Sequence, residues 1–160
     1  ITASSAPVFG GVYKLVAIER DGEYIPKIKI SENVAKITTP GFKQVYRLYE
    51  KNTSKAIADV ITLNHEKIDS TEPYEIFDPV HTWKRKVVTN FVAKKLQVKV
   101  FEKGKLVYEN PSVKEISDYR ANQVDSMWDE VKRFENPHKY YVDLSPKLWG
   151  IRTELLEKYN

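Results

Sequence analysis

Runs of hydrophobic residues near the N-terminus predict β-strands. Residues 12–18 are apolar at nearly every position and rich in β-branched and aromatic side chains, which is typical of a strand buried on both faces. Residues 24–30 end in an alternating pattern, with isoleucines on one face and lysines on the other. A turn signal at residues 20–23 separates the two runs. The pattern therefore predicts two strands joined by a turn.

Two β-hairpins are predicted further along the chain. Residues 44–49 and 56–63 have the composition of strands and flank a short polar turn. Residues 95–100 alternate between apolar and polar positions, and residues 105–108 return after a tight turn at Lys103-Gly104. The first two-thirds of the chain is therefore expected to be rich in β-structure.

Helical periodicity dominates the last third of the chain. Ser112 and Glu115 have the spacing of a capping box, in which each side chain bonds the backbone of the other residue. Apolar residues then recur every three or four positions up to Phe134, apart from one gap of five, which predicts an amphipathic helix of about six turns. Ser145 followed by Pro146 predicts the start of a second helix. The expected fold class is α+β, with two C-terminal α-helices.

Composition limits the possible classes of protein. The chain has 160 residues, of which 41% are hydrophobic and 30% charged, as in an ordinary globular domain or one piece of a larger protein. No run approaches the roughly 20 apolar residues of a membrane span, so no membrane partner is expected. The N-terminus lacks both an initiator methionine and the pattern of a signal peptide. We therefore expect that the chain starts inside a longer protein.

Cysteine is absent, which excludes disulfides, cysteine-based zinc sites and thiol nucleophiles. The same absence fits a cytoplasmic location. Besides His65 and His138, the chain has His81, which follows Asp78 by three residues in a predicted turn. A metal site there would need a third ligand that the sequence does not indicate, so local hydrogen bonding is the favoured interpretation and no metal site is predicted.

A net charge of +4 raises the expectation of an anionic partner. The segment from residue 27 to residue 47 is strongly basic, and the turn at Pro40-Gly41 could bring its two ends together. Several cations around one cavity could hold a phosphate or pyrophosphate by charge-assisted hydrogen bonds. The alternative is a solvated strand face. The candidate phosphate-binding residues are Lys27, Lys29, Lys36, Lys43 and Arg47.

A second basic cluster begins at an aromatic residue. Trp83 precedes three successive cations, at residues 84–86, and such a combination can bind nucleic acid by base stacking and phosphate contacts. The favoured alternative is a solvated face with Trp83 packed inward. A nucleic-acid-binding module is therefore kept as an alternative function.

Several segments, taken in order, resemble the C-terminal part of nicotinate phosphoribosyltransferases of the bacterial type. The resemblance is carried by GGVYKLVAIE at residues 10–19, TPGFKQVYRLYE at 39–50, IFDPVHTWKRK at 76–86, VFEKGKLVYENPSV at 100–113 and WDEVKRFENPHKYYVDLS at 128–145. It covers essentially the whole chain. Each piece is modest by itself, and together they are specific.

The resemblance implies a glycosyl-transferring enzyme of NAD biosynthesis. Such enzymes form nicotinate mononucleotide and pyrophosphate from nicotinate and phosphoribosyl pyrophosphate, with coupled ATP hydrolysis that also gives them the character of a ligase. It further implies an α/β barrel with the active site at its mouth, and a homodimer whose partners share active-site residues. ATP and Mg²⁺ are expected on the full-length enzyme, and neither is expected on this fragment.

The resemblance also implies a division of the chain. Residues 10–18 would form the last barrel strand, with residues 1–50 as the end of the barrel and residues 51–160 as a C-terminal α+β subdomain. The catalytic histidine of the family lies upstream, so no catalytic residue is assigned here and the isolated fragment is expected to be inactive.

Analogy with the related nicotinamide phosphoribosyltransferase orders the candidate phosphate ligands. It favours Lys29, Lys36 and Lys43, with Lys27 and Arg47 behind them. Nucleic acid is an unlikely partner under this interpretation. A purely structural subdomain that contacts no ligand is the remaining alternative.

Overall fold

The computed structural model describes residues 10–159, which divide into two compact units. The described part of the first unit is residues 10–42 with residues 150–159, and the second unit is Lys43–Trp149. The expected division into a barrel end and a C-terminal subdomain stays a prediction. Mixed α+β architecture, the coarser expectation, is confirmed, because strands and α-helices both occur among the described residues.

A short hairpin is the main element of the first unit. Strands β1 (Ala17–Arg20) and β2 (Glu23–Pro26) pair in antiparallel register. The turn between them has positive φ at Asp21 (54°) and Gly22 (83°), which suits the twist of a tight hairpin. A single 3-10 turn, Val34–Lys36, follows.

The strand predicted over residues 12–18 is mostly wrong. Only its last two residues belong to β1, and the side chains before them lie in solvent, with Val12 77% and Tyr13 96% exposed. Burial on both faces requires strands or helices on each side, whereas β1 pairs with β2 alone. The barrel-closing strand expected over residues 10–18 is therefore not found, and residues 10–159 form no closed barrel.

The second unit contains the remaining strands and the first two helices, and it begins the third. In chain order its elements are β3 (Lys43–Glu50), β4 (Ala56–Leu63), β5 (Tyr74–Phe77), β6 (Arg85–Val88), β7 (Phe91–Lys95), β8 (Phe101–Glu102), β9 (Lys105–Leu106), α1 (Val113–Asp125), α2 (Asp129–Lys132), β10 (Val142–Leu144) and α3 (Pro146–Tyr159).

A four-stranded sheet in the order β10-β4-β3-β7 organises this unit. The predicted hairpin of β3 and β4 is confirmed, and β7 pairs with the other edge of β3 in antiparallel register. β10 runs parallel to β4, so the segment just before the last helix adds a strand to the sheet. A further hairpin, β5 with β6, stands beside it as a separate ladder.

The core lies around the centre of this sheet. Leu48, Ala58, Val60 and Phe91 have no measurable exposure, and the β5–β6 hairpin adds further buried apolar side chains. β4 is buried at most positions because strands flank it on both edges. Trp128 packs against the same cluster from the segment between the helices.

The second predicted hairpin is confirmed in its turn, but its first strand is Phe101–Glu102 and not residues 95–100, and its second strand is only Lys105–Leu106. Lys103 and Gly104 both have positive φ, at 48° and 77°, and join β8 to β9. Residues 96–100, predicted as strand, carry no ladder of their own. The reason is that β7 is hydrogen-bonded to β3, and the last bond of that edge joins Leu96 to Val45.

The long helix predicted from the capping box onward is broken into two. The capping box is confirmed, since the Ser112 side chain and Glu115 bond each other's backbone. α1 stops at Asp125 because outside groups take the carbonyls that continuation would need: the amide of Ala56 donates to Ser126 O (2.8 Å), and Lys55 Nζ donates to Asp125 O (2.7 Å). The described chain therefore has three helices instead of two.

The last helix begins as predicted. Ser145 Oγ accepts a hydrogen bond from the amide of Leu148 (3.2 Å), and Pro146 occupies the first helical position. Leu148 is fully buried, which ties the start of α3 to the second unit. None of the helices among the described residues is long and apolar enough to cross a bilayer.

Candidate functional site

The basic segment identified in the sequence, residues 27–47, is divided between the two units. Lys27, Lys29 and Lys36 belong to the first unit, whereas Lys43 and Arg47 lie on β3 in the second. Their role as phosphate ligands stays a prediction.

Two of the three lysines in the first unit are presented to solvent by one loop. The amide of Lys29 donates to Thr38 Oγ1 (2.9 Å), and the amide of Thr38 donates to Lys29 O (3.4 Å). This pairing closes the loop that contains the 3-10 turn ending at Lys36. Lys29 and Lys36 are exposed, while Lys27 is half-buried and its amide is bonded to Val16 O. The exposed pair is thus available to an anion from solvent.

Lys43 has a different environment at the start of β3. It is half-buried, and that burial lowers the pKa of its ammonium group below the usual value. A bound anion would oppose this decrease in the pKa of Lys43, because it would stabilise the charged ammonium group.

Arg47 forms a network inside the protein. Its Nε and Nη2 donate to the two oxygens of Asp59 at 2.7 and 2.9 Å, and its Nη1 donates to Gln123 Oε1 at 3.1 Å. The hydrogen bond with Asp59 is the main cause that raises the pKa of Arg47 further above its already high value. Because the guanidinium already bonds β4 and α1, Arg47 is the weakest of the five phosphate candidates.

Two tyrosines complete this network. Tyr140 donates from its hydroxyl to Asp59 Oδ1 (3.0 Å), and its ring lies 5.7 Å from the Arg47 guanidinium carbon. Burial is the main cause that raises the pKa of Tyr140. The hydroxyl of Tyr49 donates to Gln123 Oε1 (3.2 Å), so the network joins β3, β4, α1 and the segment before β10.

Sequence reasoning missed the partner of Arg47 although a signal was present. Arg47 and Asp59 are directly opposite in the β3–β4 register. The predicted hairpin supplied both strands, and cross-strand neighbours of opposite charge attract each other. Gln123 and Tyr140 had no comparable signal, because they approach from distant parts of the chain.

A groove of about 640 Å³ lies beside β10, and a smaller one of about 210 Å³ adjoins it. The two share four lining residues, of which two are acidic, one is basic and one is aromatic. These shared residues are Asp78, Lys84, Tyr141 and Asp143.

Asp143 is the most unusual group in this groove. It is only 3% exposed, and burial raises the pKa of its carboxyl to about 6, with a smaller contribution from the charge of Asp78. A group perturbed in this way within a cleft is a candidate functional residue. No motif in the sequence pointed to it.

Asp78 and His81 confirm the interpretation of a locally bonded loop. Asp78 Oδ1 accepts from the amides of Val80 (2.8 Å) and His81 (2.9 Å), and Oδ2 lies 3.4 Å from His81 Nδ1. These bonds, first that of the His81 amide, lower the pKa of Asp78 to about 2. Over residues 10–159 no group of three or more histidine and acidic side chains could hold a metal ion.

The cluster at Trp83 differs from the favoured interpretation. Trp83 does not pack inward, since it is 74% exposed and its ring meets His81 edge-on at 5.1 Å. Of the following cations, Arg85 is paired with Glu75 (2.7 Å) and bonded to Thr82 O. The exposed Trp83 indole is accessible for base stacking. The ion pair of Arg85 reduces the positive charge that is available to a nucleic acid.

The sequence matches one protein family over most of its length. The model of the family described as nicotinate phosphoribosyltransferase C-terminal domain matches residues 42–152. A nicotinate phosphoribosyltransferase of Bacillus subtilis is 42% identical over 99% of this chain and 32% of its own length. One from Dictyostelium discoideum is 31% identical over 93% of this chain and 26% of its own length.

A solved structure agrees in fold. The crystal structure of human nicotinic acid phosphoribosyltransferase superposes with a TM-score of 0.67 at 22% identity, and covers 74% of this chain and 24% of that one. At this identity the likeness concerns the fold alone. The chain spans about a third or less of the length of these relatives.

Proposed function

Because the chain belongs to the family of nicotinate phosphoribosyltransferase C-terminal domains, we propose that it is the C-terminal part of an enzyme that joins nicotinate to phosphoribosyl pyrophosphate. The products are nicotinate mononucleotide and pyrophosphate, and ATP hydrolysis accompanies the transfer. The observation that carries this proposal is the 42% identity to a nicotinate phosphoribosyltransferase along nearly the whole chain.

We place the reacting groups on the part of the enzyme outside this chain, because the catalytic histidine of the family lies upstream of the matched segments. ATP and Mg²⁺ belong to the full-length enzyme in this proposal. A homodimer in the cytoplasm is part of the same proposal.

The first test separates the fragment from the enzyme. We expect the full-length enzyme to form nicotinate mononucleotide from nicotinate, phosphoribosyl pyrophosphate and ATP, and these 160 residues alone to form none above background. Product is measured by chromatography, with nicotinamide in place of nicotinate as the specificity control. Turnover by the 160 residues alone would refute the fragment interpretation, and an inactive full-length enzyme would refute the activity.

We further propose that Lys29 in the first unit and Lys43 in the second are each phosphate ligands for phosphoribosyl pyrophosphate or the leaving pyrophosphate. Support comes from their place in one basic segment of the sequence and from the exposure of Lys29 to solvent. A polyanionic leaving group needs fixed cations, because positive charge stabilises the negative charge that develops on it during transfer. Lys36 shares the loop of Lys29 and is the next candidate.

The lysine proposal is tested in the full-length enzyme. Lys29→Ala and Lys43→Met are each expected to raise the KM for phosphoribosyl pyrophosphate by roughly tenfold or more, because a charge-assisted hydrogen bond is worth about 1.5–3 kcal/mol. Lys114→Ala is the matched control, since Lys114 is exposed on α1 and pairs only with Asp118. The KM for nicotinate should not change. If both lysine variants keep wild-type kinetics, this region is scaffolding and the structural alternative holds.

A further inference from the structure

Asp143 carries its charge at a buried position, where the charge does not stabilise the fold. It lies on β10 opposite Val60 in the parallel register, and only 3% of its surface is exposed to solvent. Within residues 10–159 no hydrogen bond to its carboxylate contributes to its environment, in contrast to the bonded carboxylates of Asp59 and Asp78. A buried carboxylate without a partner destabilises the fold. Such a group is a sign of a ligand that is brought from elsewhere.

Asp143 borders both grooves although little of its surface is exposed. Asp143 lines both the larger and the smaller groove, and neither of its oxygens is sealed from solvent without a partner. The space in front of it is sufficient for a small organic group. A ligand that enters the groove therefore reaches the carboxylate directly.

Aromatic side chains form one wall of the larger groove. Trp128 lies edge-on to Tyr140 (6.4 Å between ring centroids) and to Tyr141 (6.0 Å), and all three line the cavity. Aromatic faces attract cations, and the attraction is stronger where water is excluded. The wall and the carboxylate thus favour the same kind of ligand.

We propose that the groove beside β10 binds a guanidinium or ammonium group, with Asp143 as its counter-ion and the aromatic wall around it. The carboxylate of Asp78 adds a second negative charge at the place where the two grooves meet. Charge attraction is strong there because Asp143 is removed from water.

Lysine and arginine side chains also line the two grooves, and each of them is exposed: Lys84, Arg85, Lys86 and Lys139. Lys84 is exposed, as is Lys139, so both can turn their ammonium groups into solvent. His138 also lines the larger groove. A metal ion fits less well, because no group of three histidine or acidic side chains exists among the described residues.

The guanidinium or ammonium group could come from two sources. It could belong to a side chain in the part of the enzyme outside this chain, or to a free small molecule. The chemistry at Asp143 is the same in both cases, so the same variants test the site for either source. A comparison of this chain with the full-length enzyme then separates the two sources. The inference itself does not depend on which reaction the whole enzyme catalyses.

The binding test uses methylguanidinium and agmatine as probes. We expect each to bind this chain with a dissociation constant in the millimolar range at a pH of about 8, as seen by saturable shifts in carboxyl-carbon NMR. Asp143→Asn should weaken binding about tenfold or more, because it removes the counter-ion and keeps the shape. Asp118→Asn, at an exposed position on α1, is the matched control and should bind as the wild type does.

The pH dependence gives a second readout. Since the pKa of Asp143 is raised to about 6, binding should weaken as the pH falls through that value and the carboxylate is protonated. His138 also lines the larger groove, so Asp143→Asn isolates the part of the change that is due to Asp143. The other titratable or charged groups that face Asp143 or line the two grooves are Tyr74, Asp78, Lys84, Arg85, Lys86, Lys139, Tyr140 and Tyr141.

The midpoint of thermal unfolding tests whether Asp143 serves ligand binding or the stability of the fold. At a pH of about 8 and without added cations, Asp143→Asn should raise the midpoint of thermal unfolding of this chain by roughly 3 °C, because a charge is no longer buried. The gain should disappear at a pH of about 5, where Asp143 is already protonated in the folded state. A lower midpoint for Asp143→Asn at both pH values would mean that Asp143 is structural and would overturn the proposal.

The same titration of the full-length enzyme identifies the source. Binding of methylguanidinium as tight as that to this chain points to a free small molecule. Loss of binding, together with a destabilising effect of Asp143→Asn in the full-length enzyme, points to a side chain of the enzyme that fills the groove. Absence of saturable binding to this chain, or equal binding to Asp143→Asn, overturns the proposal.

Discussion

Arg47→Ala is expected to lower the free energy of unfolding by about 3 kcal/mol. The substitution leaves the Asp59 carboxylate with only the hydroxyl of Tyr140 as a side-chain donor, in a site where the Arg47 and Asp59 side chains are 14% and 13% exposed. A charge left in such a place without its bidentate partner retains most of its desolvation cost. Urea denaturation followed by tryptophan fluorescence measures the loss, since Trp128 lies beside Tyr140.

Two further variants show whether the loss comes from this geometry. Arg47→Lys keeps the positive charge and cannot make the bidentate contact, so it should recover less than half of the loss. Arg85→Ala removes an arginine whose pair with Glu75 is exposed, and should cost less than about 1 kcal/mol. If Arg47→Ala is as mild as Arg85→Ala, the network contributes little and Arg47 becomes available again as a phosphate ligand.

Phe91→Ala is expected to cost about 4 kcal/mol. Phe91 begins β7, has no exposure, and belongs to the core cluster with Leu48 and Val88. Removing its ring loses the transfer free energy of the buried surface and leaves a cavity that the sheet can close only in part. The change is measured as a shift of the urea midpoint at unchanged slope.

The neighbouring residue provides the control for Phe91. Val92 follows it on the same strand, points to the opposite side and is 47% exposed, so Val92→Ala should cost less than about 1 kcal/mol. Equal effects of the two substitutions would contradict the placement of the core on the Phe91 side of β7.

The candidate lysines could be identified from the sequence because positive charge is concentrated in one continuous segment. Lys29, Lys36 and Lys43 stand out in the sequence because they lie within one basic stretch. Their environments did not follow from that stretch, since Lys43 is half-buried and the other two are exposed. Asp143 carried no signal at all. It is an ordinary acidic residue in an apolar segment, and only β10 beside the β5–β6 hairpin makes its position exceptional.

Arg47 shows how the same residue can be interpreted in two ways. As part of a basic segment it is a phosphate candidate, and as a cross-strand neighbour of Asp59 it is half of an ion pair. The structure favours the second interpretation, because the Arg47 guanidinium donates two hydrogen bonds to Asp59 and one to Gln123. Register, which the hydrophobic pattern specified but the charge analysis did not use, was sufficient to find the pair.

The sequence by itself determined those elements whose causes lie within a few residues of one another. The β3–β4 hairpin, the turn at Lys103-Gly104, the capping box at Ser112 and the start of α3 at Ser145 all depend on local dihedral preferences and local side-chain contacts. The relationship to the enzyme family also followed from sequence, because it rests on the order of short segments.

Only the tertiary structure decided where those elements end and what they enclose. α1 stops where Lys55 and Ala56 take its carbonyls, and the two lie some seventy residues away in the chain. Likewise, β10 joins β4 across about eighty residues and so buries Asp143. Such contacts form only once chain closure has brought distant segments together, and no local pattern of residues records which partner will arrive.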